Sequence, residues 1–329
     1  MQVVSITGRG QVELVERPDL VAVDDFVVVK IHAAPVCTEY KVFQSGHATD
    51  ALGHEAAGEV VEVARPGRVR VGDRVAVMPQ TGCGRCPYCL SGEYIYCADP
   101  PRVATPTYAQ YVLKQDWLLV SIPDSVSYEH GAMACCGLGP TFGALRRIGL
   151  RAPDTVLISG MGPVGLGGLI NARALGARVI AVEGQPFRAR LADALGADAV
   201  IDPADPLALE QIRDLTGGGP DRGLDCSGSA AAQRLLMDAI RARGEIAFVG
   251  EAGDLTVRVS TDLLRKGLTL HGNWHYSLAD GQRVMRLIQR SGAQLDRLIT
   301  HVLPMALVRD AWDLQSRGAC GKIVLEPWA

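Results

Sequence analysis

Residues 155–168 read Thr155-Val-Leu-Ile-Ser-Gly-Met-Gly-Pro-Val-Gly-Leu-Gly-Gly168, and an alanine-rich run then leads to Arg178-Val-Ile-Ala-Val-Glu183. An apolar run ends in a glycine turn, a helical run follows, and a second apolar run ends in an acid. This order predicts a βαβ unit. Gly160, Gly162 and Gly165 form the pattern G-x-G-x-x-G, in which the glycines permit a tight turn, the approach of a pyrophosphate and close packing of helix on strand.

The helix that begins at Pro163 and Val164 would offer unpaired N–H groups and a partial positive charge to the phosphates. Glu183 stands where an acid can accept hydrogen bonds from both hydroxyls of an adenosine ribose, and its charge would repel a 2′-phosphate. The stretch therefore favours NAD over NADP. Arg188 follows closely enough to leave NADP open, and a βα turn without any ligand is the other alternative.

The whole chain has the length and composition of a globular protein with two domains. It has 329 residues, of which 48% are hydrophobic and 21% are charged. A net charge of −3 gives no reason to expect nucleic acid or an anionic membrane as a partner. The first residues lack the basic start and long apolar core of a signal peptide, so we expect a cytoplasmic protein.

Four of the nine cysteines are closely spaced, at Cys83, Cys86, Cys89 and Cys97. Four thiolates at this spacing can close a tetrahedron around Zn²⁺ and would leave no open position, so the predicted role is structural. An iron–sulfur cluster and a pair of disulfides are the alternatives. Disulfides fit less well with a cytoplasmic chain.

Three further segments carry residues that commonly bind metals. Cys37 follows a β-type run, His54 and Glu55 enter a valine-rich run, and Cys135 and Cys136 lie in a helical stretch at 128–147. Each is ambiguous alone, because a lone cysteine or histidine is often a core residue. Two adjacent cysteines on a helix cannot both face one metal, so at most one of the pair is a ligand.

Residues after the βαβ unit continue the alternation of apolar runs and helical runs, which predicts a doubly wound parallel sheet of six strands. Further strand-like runs begin at Ala199, Arg222, Glu245 and Leu268. Residues 281–291 predict one more helix. The tail from Ala319 returns to β character and could rejoin the first domain.

Taken together, these motifs resemble the zinc-containing medium-chain alcohol dehydrogenases over essentially the whole chain. The resemblance is carried, in order, by Cys37, Gly53-His54-Glu55-Ala-Ala-Gly-Glu-Val, Val71-Gly-Asp-Arg-Val, the cysteine quartet, the glycine pattern and Gly321-Lys-Ile-Val-Leu. It implies an α/β fold, with a GroES-like β-rich catalytic domain at 1–137 and 276–329 and an inserted Rossmann NAD-binding domain at 138–275. It also implies a homo-oligomer, a dimer or a tetramer.

By the same resemblance, Cys37, His54 and Cys136 are ligands of a catalytic zinc, and Glu55 can ligate the metal or exchange with water or substrate. With the quartet this makes two zinc ions per chain. The implied reaction is hydride transfer between an alcohol and NAD, with zinc stabilising the alkoxide. Lys322 is expected to reach the pyrophosphate of NAD or to be a surface charge at a strand end.

The segment after Cys37 departs from the family pattern. Glu39 stands where a serine or threonine hydroxyl usually relays the proton, and Tyr40 replaces the usual aspartate. Either Glu39 relays the proton, or Thr38 does so through a shifted backbone, or Glu39 contacts a polar substrate; a solvated loop residue is the bland alternative. Glu39, Tyr40 and His275 suggest a polar secondary alcohol such as a polyol.

Two other functions compete with this one. A zinc-free quinone or enoyl reductase on the same fold would lack the cysteine quartet and the Cys–His pair. A non-catalytic NAD-binding protein would keep zinc only for its fold, and the departure at Glu39 leaves room for it. Zinc content separates the three: about two ions per chain for the dehydrogenase, one for the non-catalytic protein and none for the reductase.

Overall fold

The computed structural model describes residues 1–329, which fall into two compact units. The first comprises 1–137, 277–295 and 299–329, and the second comprises 138–276 and 296–298. No helix combines the length and the apolar character needed to traverse a bilayer.

Fifteen strands account for both sheets and one hairpin. In chain order they are β1 Gln2–Gly8, β2 Gln11–Glu16, β3 Phe26–Pro35, β4 Ala56–Glu62, β5 Arg74–Val77, β6 Tyr111–Gln115, β7 Leu119–Ser121, β8 Thr155–Ser159, β9 Arg178–Val182, β10 Ala199–Ile201, β11 Arg222–Asp225, β12 Glu245–Phe248, β13 Thr269–Gly272, β14 Ile299–Pro304 and β15 Lys322–Glu326.

Eleven α-helices connect or flank these strands. They are α1 Tyr40–Ser45, α2 Pro87–Leu90, α3 Tyr128–Ala132, α4 Gly139–Arg147, α5 Pro163–Ala174, α6 Pro186–Ala194, α7 Ala208–Thr216, α8 Ala230–Ala239, α9 Gly281–Arg290, α10 Gly292–Leu298 and α11 Val308–Ser316. Short 3₁₀ turns lie at Tyr94–Tyr96, Asp116–Leu118, Leu278–Asp280 and Met305–Leu307, and a π-helical segment at Val259–Arg265.

The second unit contains a six-stranded parallel sheet in the order β10-β9-β8-β11-β12-β13. This is the doubly wound order in which the chain starts at the centre, proceeds to one edge and then returns to build the other half. The apolar run in β8 and β9 is buried almost throughout, as parallel strands covered on both faces require. The predicted parallel sheet of six strands is confirmed.

The first unit is built on β3, whose apolar run Phe26–Pro35 is buried along nearly its whole length. The strand pairs antiparallel with β4, β6 and β15, within a sheet of order β14-β15-β3-β4-β5-β7. The C-terminal strand β15 thus joins the sheet formed by the N-terminal third of the chain, as its β character predicted.

The predicted helical stretch at 128–147 is two helices, because α3 ends at Ala132 and α4 begins at Gly139. Residues 133–138 between them form turns. Cys135 and Cys136 therefore lie in a turn, where adjacent side chains can point in different directions.

Candidate metal centres and nucleotide turn

A four-residue cluster in the first unit brings together the donor atoms of Cys37, His54, Glu55 and Cys136, all within 4.8 Å of one another. Cys37 follows the end of β3, and His54 and Glu55 lead into β4. Because β3 and β4 pair antiparallel, with Ala33 opposite Ala57, the end of one strand lies beside the start of the other. We call this set the catalytic cluster, after the role that the sequence predicts for it.

His54 is held in a defined orientation by Glu39. The imidazole Nδ1 lies 2.7 Å from Glu39 Oε1, and since a carboxylate only accepts, Nδ1 carries the proton and donates. Nε2 then faces the cluster, 3.2 Å from Cys136 Sγ. A carboxylate behind a histidine in this way fixes the ring for metal binding through Nε2.

Although burial opposes it, hydrogen bonding with Cys37 and Glu39 raises the pKa of His54 to about 11. The pKa of the Cys37 thiol is held well below its ordinary value, chiefly by the hydrogen bond from Cys136, and the pKa of Cys136 is raised correspondingly. Cys37 is therefore the thiolate of the pair. Thiolate is the metal-binding form, and a bound cation would displace the remaining protons.

Glu39 is buried, with 7% of its surface exposed, so it is not a solvated loop residue. Its second oxygen accepts hydrogen bonds from the Tyr108 hydroxyl at 2.8 Å and from the Cys37 backbone N–H at 3.1 Å. Both oxygens of the carboxylate therefore have partners in the catalytic cluster or beside it. Thr38, by contrast, is exposed and donates no hydrogen bond to the cluster.

We expect Glu39→Gln to weaken zinc binding at the catalytic cluster by about 10- to 100-fold, the range typical when a carboxylate behind a metal-binding histidine is removed. The glutamine amide lacks the negative charge that orients His54. Its NH₂ group is a donor, so it cannot accept the hydrogen bonds that the Tyr108 hydroxyl and the Cys37 N–H donate to the carboxylate. Zinc affinity measured by competition with a chelator checks this, with the partly buried Glu59→Gln in β4 as the matched control. Equal zinc affinity in both variants would remove Glu39 from this role.

Glu55 is fully buried and is bonded on both oxygens. Oε1 accepts from Lys322 Nζ at 2.6 Å, and Oε2 accepts from the Cys136 backbone N–H at 3.2 Å. Burial raises the pKa of Glu55 to about 7, even though the Lys322 ammonium opposes that rise. Oε1 also lies 3.9 Å from His54 Nε2, so the carboxylate remains beside the cluster's donor atoms.

Lys322 is completely buried, and its ammonium pairs with Glu55 rather than facing solvent. The reason is the register of β15, which pairs with β3 through Val324 and Pro35 and so brings the start of β15 beside the catalytic cluster. The alternative that Lys322 is a surface charge is wrong, because the side chain is completely buried. Its contact with the pyrophosphate stays a prediction. The charge of Glu55 instead holds the pKa of Lys322 above its ordinary value despite burial.

Cys135 and Cys136 point in different directions from their turn. Cys136 joins the catalytic cluster, whereas the Cys135 thiol donates to the Val77 carbonyl at 2.9 Å. Burial raises the pKa of Cys135 to about 12, which keeps it a neutral thiol.

The cysteine quartet forms a second cluster, with the four sulfurs within 4.8 Å of one another and all nine cysteines of the chain free. Cys83 Sγ and Cys89 Sγ are 3.9 Å apart. Zn–S bonds of about 2.3 Å would place the sulfurs of a tetrahedron roughly 3.8 Å apart. The arrangement therefore fits a zinc ion.

Backbone N–H groups already compensate thiolate charge in this quartet. Those of Arg85 and Cys86 lower the pKa of Cys83 to about 6, and the Cys86 N–H donates to Cys83 Sγ at 3.3 Å. Burial instead raises the pKa of Cys89 to about 12. These backbone donors thus favour the thiolate form of Cys83, which is the form that binds a metal.

The glycine turn lies in the second unit, between β8 and α5. Gly160 has φ of +85°, a left-handed conformation, and its N–H donates to the Val182 carbonyl. A Cβ on Gly165 would lie 1.8 Å from the Gly160 carbonyl oxygen, so only glycine fits there. Gly162 precedes α5, whose first turn contains Pro163 and Val164, and a Cβ on it would meet nothing nearer than Arg188 Nη1 at 4.0 Å.

Glu183 follows β9 and is bonded back to the glycine turn. One carboxylate oxygen accepts from the Met161 N–H at 2.8 Å and the other from the Gln185 N–H at 2.7 Å. The acid is thus fixed beside the turn. Arg188, on α6, also reaches the turn at Gly162 and is not simply a solvated charge on a helix face.

A cavity of about 410 Å³ lies in the first unit with His54 and Glu39 in its wall. Its wall also contains Pro79, Gln80, Thr107 and Lys114. Tyr108 and Lys322 are further residues whose roles emerge only in the folded chain. The cavity has the volume of a small-molecule site.

The fold and these sites define a zinc-binding dehydrogenase of two domains. Residues 23–124 match the family model for the alcohol dehydrogenase GroES-like domain, and residues 163–290 match the model for the zinc-binding dehydrogenase domain. The chain belongs to the zinc-containing medium-chain alcohol dehydrogenase family, as its sequence motifs predicted.

Individual relatives agree with this placement. The uncharacterized zinc-type alcohol dehydrogenase-like protein YphC of Escherichia coli strain K12 is 32% identical over 91% of both chains. Sorbitol dehydrogenase of Bacillus subtilis strain 168 is 30% identical over 98% of this chain and 95% of its own. The structure of alcohol dehydrogenase TADH from Thermus sp. ATN1 superposes with a TM-score of 0.90 at 25% identity, over 99% of both chains.

Proposed function

We propose that this protein is a zinc-dependent dehydrogenase that transfers hydride between an alcohol, with preference for a polar secondary alcohol such as a polyol, and NAD. Oxidation of a secondary hydroxyl gives a ketone, and oxidation of a primary hydroxyl gives an aldehyde. The observation that carries the proposal is the catalytic cluster, in which His54 presents Nε2 beside Cys37 and Cys136 at the wall of a cavity. Family membership and the likeness to a sorbitol dehydrogenase support it.

The residues that would hold the catalytic zinc are Cys37, His54 and Cys136, with Glu55 beside them. Their sulfur and nitrogen donors are those that zinc prefers, and three such donors are the usual protein ligand set of a zinc site that keeps one position exchangeable. When bound, zinc supplies a Lewis acid that stabilises negative charge on an alcohol or carbonyl oxygen. Glu39 orients His54 so that Nε2 would face the metal, and Lys322 compensates the buried charge of Glu55.

We assign the second zinc ion to the quartet Cys83, Cys86, Cys89 and Cys97, which gives two ions per chain. Four sulfur donors leave no position for substrate, so this ion would stabilise its lobe. Because thiolates persist in a reducing compartment, the quartet also supports a cytoplasmic location.

The nucleotide would bind at the glycine turn of the second unit. Gly162 leaves the backbone open to a pyrophosphate, and Glu183 offers a carboxylate at the ribose end. NAD, when bound, accepts or returns the hydride. The acid favours NAD over NADP, although Arg188 stands close to the same turn.

A dimer or tetramer is proposed as the working form. Strand β13 is one of the two edge strands of the parallel sheet, and an edge strand can pair with a strand of a second chain. Light scattering coupled to gel filtration tests this, and a monomer at working concentration would refute it.

A panel of alcohols and polyols, monitored by NADH absorbance, tests the proposed function. We expect turnover on polar secondary alcohols and faster turnover with NAD than with NADP. Turnover on quinones or enones by a protein that binds no zinc would favour the zinc-free reductase. One zinc ion per chain without any turnover would favour the non-catalytic protein.

A further inference from the structure

The wall of the cavity beside the catalytic cluster contains a buried lysine with no acidic partner. Lys114 is 1% exposed, and its ammonium donates only to the Gln80 backbone carbonyl, although it has three N–H donors. Burial without a counter-charge lowers the pKa of Lys114 to about 7. A buried charge is normally paired, because its removal from water is unfavourable unless a counter-charge compensates it.

The other fully buried lysine has an acidic partner, as buried charges usually do. Lys322 is paired with Glu55 at 2.6 Å. Glu39 is the acid that shares the cavity wall with Lys114, but its oxygens are taken by His54, Tyr108 and the Cys37 N–H. The folded chain thus leaves Lys114 as a donor without an anion.

Two neighbouring features of the same wall point to a ligand. The Thr107 hydroxyl is buried and has no hydrogen-bond partner, and buried polar atoms of this kind are uncommon in folded proteins. Gln80, whose carbonyl accepts from Lys114, has φ of +59°, a left-handed conformation that is rare outside glycine. Strain of this sort persists mainly at functional sites.

We propose that Lys114 and Thr107 form an anion subsite of this cavity, which takes a carboxylate or phosphate group carried by the alcohol substrate. The ammonium supplies charge-assisted hydrogen bonds and the hydroxyl supplies a further donor. The anionic group in turn supplies the counter-charge that Lys114 lacks. This inference rests on the proposed function, since the carbon to be oxidised would lie on the same molecule.

Steady-state kinetics on three matched compounds test the subsite: a pentitol, its terminal phosphate and the corresponding aldonic acid. We expect the wild-type kcat/KM to be at least about tenfold higher for one or both anionic compounds than for the pentitol, and Lys114→Met to abolish that ratio. Comparison of kcat/KM for the phosphate and for the aldonic acid identifies which anionic group the subsite binds. Lys266→Met is the matched control, because Lys266 is a partly buried lysine of the other unit that donates to two carbonyls.

A binding measurement separates this proposal from the proposed function. Calorimetric titration with inorganic phosphate and with acetate needs no turnover, and we expect the better ligand to bind wild type at least about tenfold more tightly than Lys114→Met. If the protein binds an anion in a manner that depends on Lys114 but oxidises no alcohol, the result would support the anion subsite and contradict the proposed dehydrogenase function. Oxidation of the neutral pentitol at an equal or higher kcat/KM would overturn the subsite alone. Lys114→Met is expected to fold, since it replaces an unpaired buried charge with an apolar chain of similar size.

Discussion

Replacing Cys136 with alanine is expected to lower kcat/KM for alcohol oxidation by about a thousandfold or more and to remove one of two zinc ions per chain. Cys136 supplies one of the three sulfur and nitrogen donors of the catalytic cluster and bonds its backbone N–H to Glu55. A Lewis acid is worth several kcal/mol of charge stabilisation, and about 4 kcal/mol corresponds to a thousandfold change in rate. Metal analysis and NADH absorbance measure the two effects.

The neighbouring residue provides the control. Cys135→Ala removes an equally buried thiol from the same turn, but that thiol bonds to the Val77 carbonyl and not to the cluster. We expect this variant to keep both zinc ions and to retain turnover within about threefold of wild type, with some loss of stability from the small cavity. If Cys135→Ala and Cys136→Ala behaved alike, the assignment of the third ligand would be wrong.

Gly162→Ala is expected to fold normally and yet to weaken NADH binding by at least about tenfold. The backbone at Gly162, with φ of −65°, suits alanine, and the added Cβ would meet no atom closer than 4.0 Å. The methyl group would, however, occupy the space through which a pyrophosphate approaches the turn. Thermal unfolding and fluorescence titration with NADH measure the two quantities.

Gly292→Ala is the matched control for that substitution. It adds a methyl group at the start of α10, where nothing lies within 4 Å of the new Cβ. We expect unchanged NADH affinity in this variant. NADH affinity that is also unchanged in Gly162→Ala would show that the nucleotide does not lie on the glycine turn.

The features that the sequence predicted well depend on short spacings. The quartet lies within one short segment, and the glycine turn lies within one βαβ unit, so each pattern implies its own geometry. The parallel sheet of six strands was predictable for a related reason, because each apolar run and helical run repeats the same local unit.

The features that the sequence did not predict depend on contacts between distant segments. Lys322 pairs with Glu55 across 267 positions, and no local pattern links the two residues. Glu39 is similar: its partners are His54, 15 residues away, and Tyr108, 69 residues away. The family usually has a serine or threonine at this position, whereas the longer side chain of Glu39 reaches His54 and orients it. The resemblance to the family therefore could not predict this role.

Lys114 left a faint signal in the sequence. It lies in β6 two residues after Val112, so the two share a face of the strand, and Val112 is completely buried. A lysine at an inward position of a strand is unusual enough to mark a functional residue. The sequence does not show that this face is buried, because the burial depends on the pairing of β6 with β3.

The most direct test of the account is turnover before and after selective removal of zinc from the catalytic cluster. We predict two zinc ions per chain in the wild-type protein, loss of NADH formation when a chelator removes one of them, and recovery when zinc is added back. NADH formation at an undiminished rate by a protein without that ion would contradict the assignment of Cys37, His54 and Cys136 as the catalytic metal site.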